Sequence, residues 1–171
     1  DNSGAENHTT IFTIAESPID EDVIWVGTDD GNVQLTTDGG KSWKNLTSNI
    51  NSVPNNTWVY HIEPSVHNRG TAYVVFDGHT TGDMKPYALK TDDFGMSWEN
   101  IIPNNDVYGF TRSIQEDYVN PDLLFLGTEF GLYISINGGN KWDKFEKNVP
   151  PVAIHHICLL YTSPSPRDKH R

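Results

Sequence analysis

Three stretches carry the reading of this chain: Thr36-Thr37-Asp38-Gly39-Gly40-Lys41-Ser42-Trp43, Thr91-Asp92-Asp93-Phe94-Gly95-Met96-Ser97-Trp98 and Ser135-Ile136-Asn137-Gly138-Gly139-Asn140-Lys141-Trp142. All three fit Ser/Thr-x-Asp/Asn-x-Gly-x-x-Trp, through Thr36, Asp38, Gly40 and Trp43, then Thr91, Asp93, Gly95 and Trp98, then Ser135, Asn137, Gly139 and Trp142. The tryptophans stand 55 and then 44 residues apart, and the longer interval fits a Gly- and polar-rich insert, residues 77–85, in the middle unit. Self-similarity at such a period marks an array of stacked supersecondary units.

The flanks repeat as well. Each motif follows an apolar run (23–26, 71–76, 123–126) and a second strand-like run (32–36, 87–90, 132–135). After the motif, residues 43–46, 98–101 and 142–145 alternate large apolar with polar side chains, the pattern of a half-buried strand. A further strand opens each unit at 11–16, 58–63 and 111–116, with turn signals Ser17-Pro18, Glu63-Pro64 and Asn120-Pro121 behind it. Four short antiparallel strands in about 44 residues make one propeller blade. The expected fold is all-β: about three four-stranded blades, near 9–50, 57–103 and 108–148, and the first strand of a fourth at 152–157.

Within the motif, a short Asp or Asn side chain accepts hydrogen bonds from the turn's own N–H groups, and Asn137 keeps the oxygen while losing the charge. The glycine supplies a positive φ, and the tryptophan is expected to insert its ring between neighbouring strands. This structural reading accounts for the Gly and Trp as well as the acid, so the motif identifies the fold and no metal site is assigned to it.

Composition excludes several function classes. The 171 residues are 36% hydrophobic and carry 23 acids against 12 bases, a formal charge of −11. Such a surface repels phosphates, and the scattered Lys and Arg form no basic patch, so no nucleic acid is expected as partner. No apolar run approaches the ~18 residues of a membrane span, and the single cysteine, Cys158, forms no intrachain disulfide. The start at Asp1, without Met or a signal-like segment, reads as a mature or truncated end. No HExxH, CxxC, Ser/His/Asp or phosphate-cradling signature is present, and no cofactor is expected.

The three motifs resemble the Asp-box, or bacterial neuraminidase repeat, over residues from about 9 to 157. Together with Val26-Gly27-Thr28-Asp29-Asp30-Gly31, Phe76-Asp77-Gly78-His79 and Leu126-Gly127-Thr128-Glu129-Phe130-Gly131, they are most similar to sortilin-like or glycosyl-hydrolase-like secreted bacterial repeat proteins. The resemblance implies an exported, extracellular or periplasmic protein. The class includes sialidases, xyloglucan-cleaving enzymes, the sortilin ectodomain and a photosystem assembly factor, so it spans catalysis and pure binding. Residues 158–171 depart from the pattern and resemble translated sequencing-adapter read-through, so they are set aside. Three blades and a strand fall short of the four to eight that close a ring, and the remaining blades of the same protein are expected partners.

In a propeller, ligands are taken on the face carrying the loops between second and third strands, opposite the motif turns. That places Asp29, Asp30, His79, Asp83, Glu129 and Phe130 in the candidate ligand zone, with Trp58 and Tyr60 nearby. A glycosidase needs two carboxylates about 5–9.5 Å apart, for which Asp30 (or Asp29) and Glu129 are the candidate pair. Gly-Thr-acid-x-Gly also reads as a simple hairpin turn. A sialidase needs several arginines, and before residue 158 only Arg69 and Arg112 occur. The expected function is therefore a non-catalytic module binding a protein or polysaccharide through its loop face. The alternative is a fragment of a glycoside hydrolase.

Overall fold

The computed structural model describes residues 10–160; of the stretch read as foreign, 161–171 lie outside the described residues. Among the described residues twelve strands form three four-stranded antiparallel sheets in simple meander order. The first sheet holds β1 (Ile11–Ser17), β2 (Asp20–Thr28), β3 (Val33–Thr36) and β4 (Lys44–Asn45). The second holds β5 (Trp58–Pro64), β6 (Ala72–Asp77), β7 (Tyr87–Thr91) and β8 (Glu99–Asn100), and the third β9 (Thr111–Glu116), β10 (Leu124–Thr128), β11 (Gly131–Ser135) and β12 (Asp143–Phe145). Among the described residues no helix is long and apolar enough to cross a membrane.

Strands β1, β5 and β9 pack against one another as the inner edge of the stack, while β4, β8 and β12 are exposed along their whole length. Period-2 alternation gives each sheet two faces, and two hydrophobic cores follow. One, with Trp25, Leu35, Leu46, Ile62, Val74 and Leu89, joins the first two sheets. The other, with Tyr73, Ile101, Ile114, Leu126, Tyr133 and Trp142, joins the second and third.

Superposing the units on their motifs makes the outer sheets legible. Ile14, Ile62 and Ile114 hold one position, opposite Val26, Val74 and Leu126. Ile62 and Ile114 are 1% and 0% exposed, whereas Ile14 is 68% exposed, because no sheet precedes the first among the described residues. At the far side, Leu46 and Ile101 are 1% and 3% exposed, and their counterpart Phe145 is 38%. The same asymmetry corrects one expectation about the tryptophans. Trp142 is 2% exposed and Trp98 packs edge-on against Trp25 at 6.1 Å, but Trp43 is 44% exposed instead of inserted. Trp98 and Trp142 turn toward the preceding sheet, whereas Trp43, in the first, borders an open cavity beside Arg69, Phe94 and Met96.

The three turns share one hydrogen-bond pattern. Thr36 and Thr91 hydroxyls accept from the N–H groups of Gly40 and Gly95 (both 2.9 Å) and donate to Asp38 and Asp93 (2.7 and 2.8 Å). Those carboxylates also take the N–H (2.9 Å) and hydroxyl (2.6 Å) of Ser42 and Ser97. These donors hold Asp38 down at a pKa of about 2, the Ser42 hydroxyl contributing most. In the third turn Ser135 and Asn137 repeat the core of the pattern, but Lys141 stands in the serine position and supplies only its N–H, at 3.0 Å. Gly95 sits at φ +77° with Leu46 of the preceding sheet where a Cβ would project, so conformation and close approach both demand glycine.

Residues 152–157, expected as a strand, form no ladder. Ile154 donates its N–H to the Thr128 carbonyl (2.9 Å) and accepts from the Ser113 hydroxyl (3.3 Å), lying against Gly127 as Val59 lies against Gly27. It occupies the place of a fourth inner strand, but the described chain offers it no second strand to pair with.

Candidate functional site

All three inner strands break register at the same point. The ladder skips Phe12 between Ile11 and Thr13, Tyr60 between Val59 and His61, and Arg112 between Thr111 and Ser113. A bulge leaves one residue unpaired and re-aims its side chain. The three bulged side chains meet: Phe12 lies 5.2 Å from the Tyr60 ring, and the Arg112 guanidinium lies 5.0 Å over the same ring. Trp58 joins Phe12 at 4.7 Å and Tyr60 at 6.3 Å, and Phe110 carries Arg112 at 4.7 Å. The result is a continuous row of rings and one cation across the loop end of the stack.

Arg112 is fixed by charge as well. Its Nη1 lies 3.5 Å from the fully buried carboxylate of Asp77 and its Nη2 3.7 Å from Glu129. Asp77 also pairs with His79 Nδ1 at 2.7 Å, and the His79 ring stacks on Phe110 at 4.8 Å and 18°. Asp29, Asp77 and Glu129 occupy equivalent positions at the ends of β2, β6 and β10, so each sheet presents an acid at this position.

The structure thus draws His79 and Glu129 together around Arg112 and leaves the other nominated residues elsewhere on this end. Asp29 accepts the Thr10 N–H at 2.8 Å, tying its turn to the start of β1, and Asp30 accepts the Thr28 hydroxyl within its own turn. Asp83 takes the Tyr87 hydroxyl at 2.7 Å, and burial together with this bond pushes that phenol up to about 12. Phe130 is exposed and packs over Gly109. Among the described residues no group of three or more His, Cys, Asp or Glu is arranged to hold a metal ion.

Sequence reasoning passed over Arg112, Asp77 and Phe110 as site residues. Their signal was available: a charge inside an otherwise uncharged strand start, Thr111-Arg112-Ser113-Ile114, and an acid ending the apolar run 72–76, in register with Asp29 and Glu129. The bulges themselves leave no mark in a single sequence.

Further along the inner strands, His61 and Glu63 face β9. His61 Nδ1 accepts the Ile114 N–H at 3.3 Å, which requires a neutral ring with its proton on Nε2, and burial lowers its pKa to about 4. Glu63 accepts from the Gln115 amide, while burial first and the Glu116 charge second push it up to about 7. With both groups neutral, their 3.9 Å approach is no ion pair near pH 6. A raised folded-state pKa stabilises at low pH and is lost on ionisation, so the Glu63 contribution falls as pH rises from about 4.5 through about 7. The depressed His61 acts oppositely, its contribution falling as pH drops from 6.5 through about 4. Glu63→Gln is therefore expected to gain thermal stability relative to wild type between pH 5 and about 7.5, read from melting curves at stepped pH. A constant difference over that window would contradict the burial assigned to Glu63.

No family model matches the chain, and no curated protein matches it. Among solved structures it is similar to the GH74 xyloglucanase from Xanthomonas campestris, at 18% identity and a TM-score of 0.63 over 86% of this chain and 23% of that one. It is also similar to YCF48 from Cyanidioschyzon merolae (20% identity, TM-score 0.61, 85% of this chain and 40% of that one). A further match is YCF48 bound to D1 peptide (20%, 0.62, 84% and 43%). These are β-propeller proteins, and at such identities the likeness shows the fold: three consecutive blades of a propeller. The chain spans about a quarter to two-fifths of the length of these structures.

Proposed function

We propose that this chain is part of a non-catalytic β-propeller module of the Asp-box, sortilin-like kind, belonging to a larger exported protein. It binds a protein or polysaccharide through its loop face. The observation that carries this reading is the row Phe12, Tyr60 and Arg112, placed by the same bulge in three successive blades. Exposed and half-exposed rings around a fixed guanidinium are the residue types that concentrate binding energy at interfaces. Propellers of this architecture serve both ligand classes: one structural neighbour is a xyloglucanase and another is bound to a peptide. Catalysis is not favoured, because Asp30 serves its own turn and Glu129 is engaged with Arg112.

The reading is tested with Tyr60→Ala against a panel of peptides and soluble polysaccharides. Removing the central ring of the row is expected to weaken whichever ligand the wild type holds by about tenfold or more, with the fold retained by near-UV circular dichroism and a lowered melting temperature, since Tyr60 also packs against the core of the second and third blades. Undiminished binding by the folded variant would move the site off the row.

A further inference from the structure

Between the first and second blades, beside the aromatic row on the same face, lies a cavity of about 340 Å³. Its polar lining is Asp30, Asn32, Thr47, Asn55, Asn56 and Thr57, and its apolar surface includes Ile50 and the buried ring of Phe76. Three features define what it can hold. First, among the described residues no Lys, Arg or His lines it, so none of them neutralises an anion there. Second, its one acid, Asp30, is already hydrogen-bonded to the Thr28 hydroxyl, a poor seat for a cation. Third, Asn55 and Asn56 are solvent-exposed and their carboxamides make no hydrogen bond to the described residues, so an incoming molecule that displaces their water meets two donors and an acceptor from each.

The walls are preorganised. Gly31, at φ +86°, brings the turn of the first blade against the Thr57 carbonyl of the second. Asn56 holds a left-handed φ of 61°, and Thr57 ties the loop back through its hydroxyl to the Pro54 carbonyl at 2.7 Å. Carboxamides and a hydrogen-bonded carboxylate beside an apolar surface match a ring with hydroxyls at its edge and C–H groups on its face. The volume lies at the small end of ligand pockets, suited to one such ring.

We infer that this cavity binds a neutral pyranose unit of a polysaccharide, an inference that rests on the loop-face reading and narrows it to the sugar class. The test uses affinity electrophoresis of the full chain through gels containing soluble neutral polysaccharides, namely β-glucan, galactomannan and arabinoxylan. Asn55→Ala combined with Asn56→Gly removes both free carboxamides while keeping the left-handed backbone accessible. Near-UV circular dichroism confirms that the fold is retained.

The expected result is retardation of the wild type by at least one neutral polysaccharide, weakened about tenfold or more in the double variant, as the loss of two hydrogen-bonding groups implies. Retardation unchanged in this variant but lost in Tyr60→Ala would overturn the cavity assignment and leave the loop-face reading standing. Absence of retardation by any neutral polysaccharide would overturn the inference, and peptide binding would then decide the loop-face reading by itself.

Discussion

Trp142→Ala is expected to destabilise the chain by about 3–5 kcal/mol, the range for emptying a large buried aromatic site, whereas Trp43→Ala costs at most about 1 kcal/mol. Both residues end the same sequence motif, and a motif-based account alone assigns them equal weight. The structure separates them. Trp142 is 2% exposed, belongs to the core between second and third blades, and donates its indole N–H to the Ile101 carbonyl at 2.6 Å. Trp43 is 44% exposed and borders an open cavity beside Arg69, Phe94 and Met96. Denaturant unfolding of the two variants measures the difference, and equal losses would show that a covering surface for Trp43 has been missed.

The second large effect lies at Glu116, which is 1% exposed between the inner strands. Its carboxylate accepts from the Ser65 hydroxyl (2.7 Å), the Val66 N–H (2.8 Å) and the Tyr73 hydroxyl (2.9 Å), tying the second blade to the third. Burial and the adjacent carboxylate push the Tyr73 phenol well above its ordinary pKa, so it remains a donor throughout the accessible pH range. Glu116→Ala strands two buried hydroxyls and the half-buried Val66 N–H and is expected to cost about 3–5 kcal/mol. Glu116→Gln retains one accepting oxygen and is expected to lose less. A loss below about 1 kcal/mol in the alanine variant would mean that water replaces the carboxylate and that this contact does not hold the blades together.

The blades were legible because their signals are local. Hydrophobic alternation, Ser/Thr-x-Asp/Asn-x-Gly turns and Pro-marked breaks each act within a few residues, and they placed inner strands at 11–16, 58–63 and 111–116, where β1, β5 and β9 stand. The serines at 42 and 97, which complete the carboxylate's hydrogen bonds, sat in the same register unread. The contrast between Trp43 and Trp142 was hidden for a different reason: burial depends on a neighbouring blade, and the residue carries no mark of whether one is present. The candidate site was half legible. Acids and aromatics at the loop end follow from strand counting, but their convergence on Arg112 depends on bulges and on contacts such as Arg112 to Asp77, 35 positions apart in the chain.

The proposed binding without turnover is checked by incubating the chain with the polysaccharide panel and measuring the release of reducing ends. The Asp30→Asn, Glu129→Gln double variant is run alongside. Neither protein is expected to release reducing ends, and the wild type is expected to retain a ligand whose binding Tyr60→Ala weakens. Turnover by the wild type that disappears in the double variant would contradict the proposal and establish the paired carboxylates as a hydrolase site.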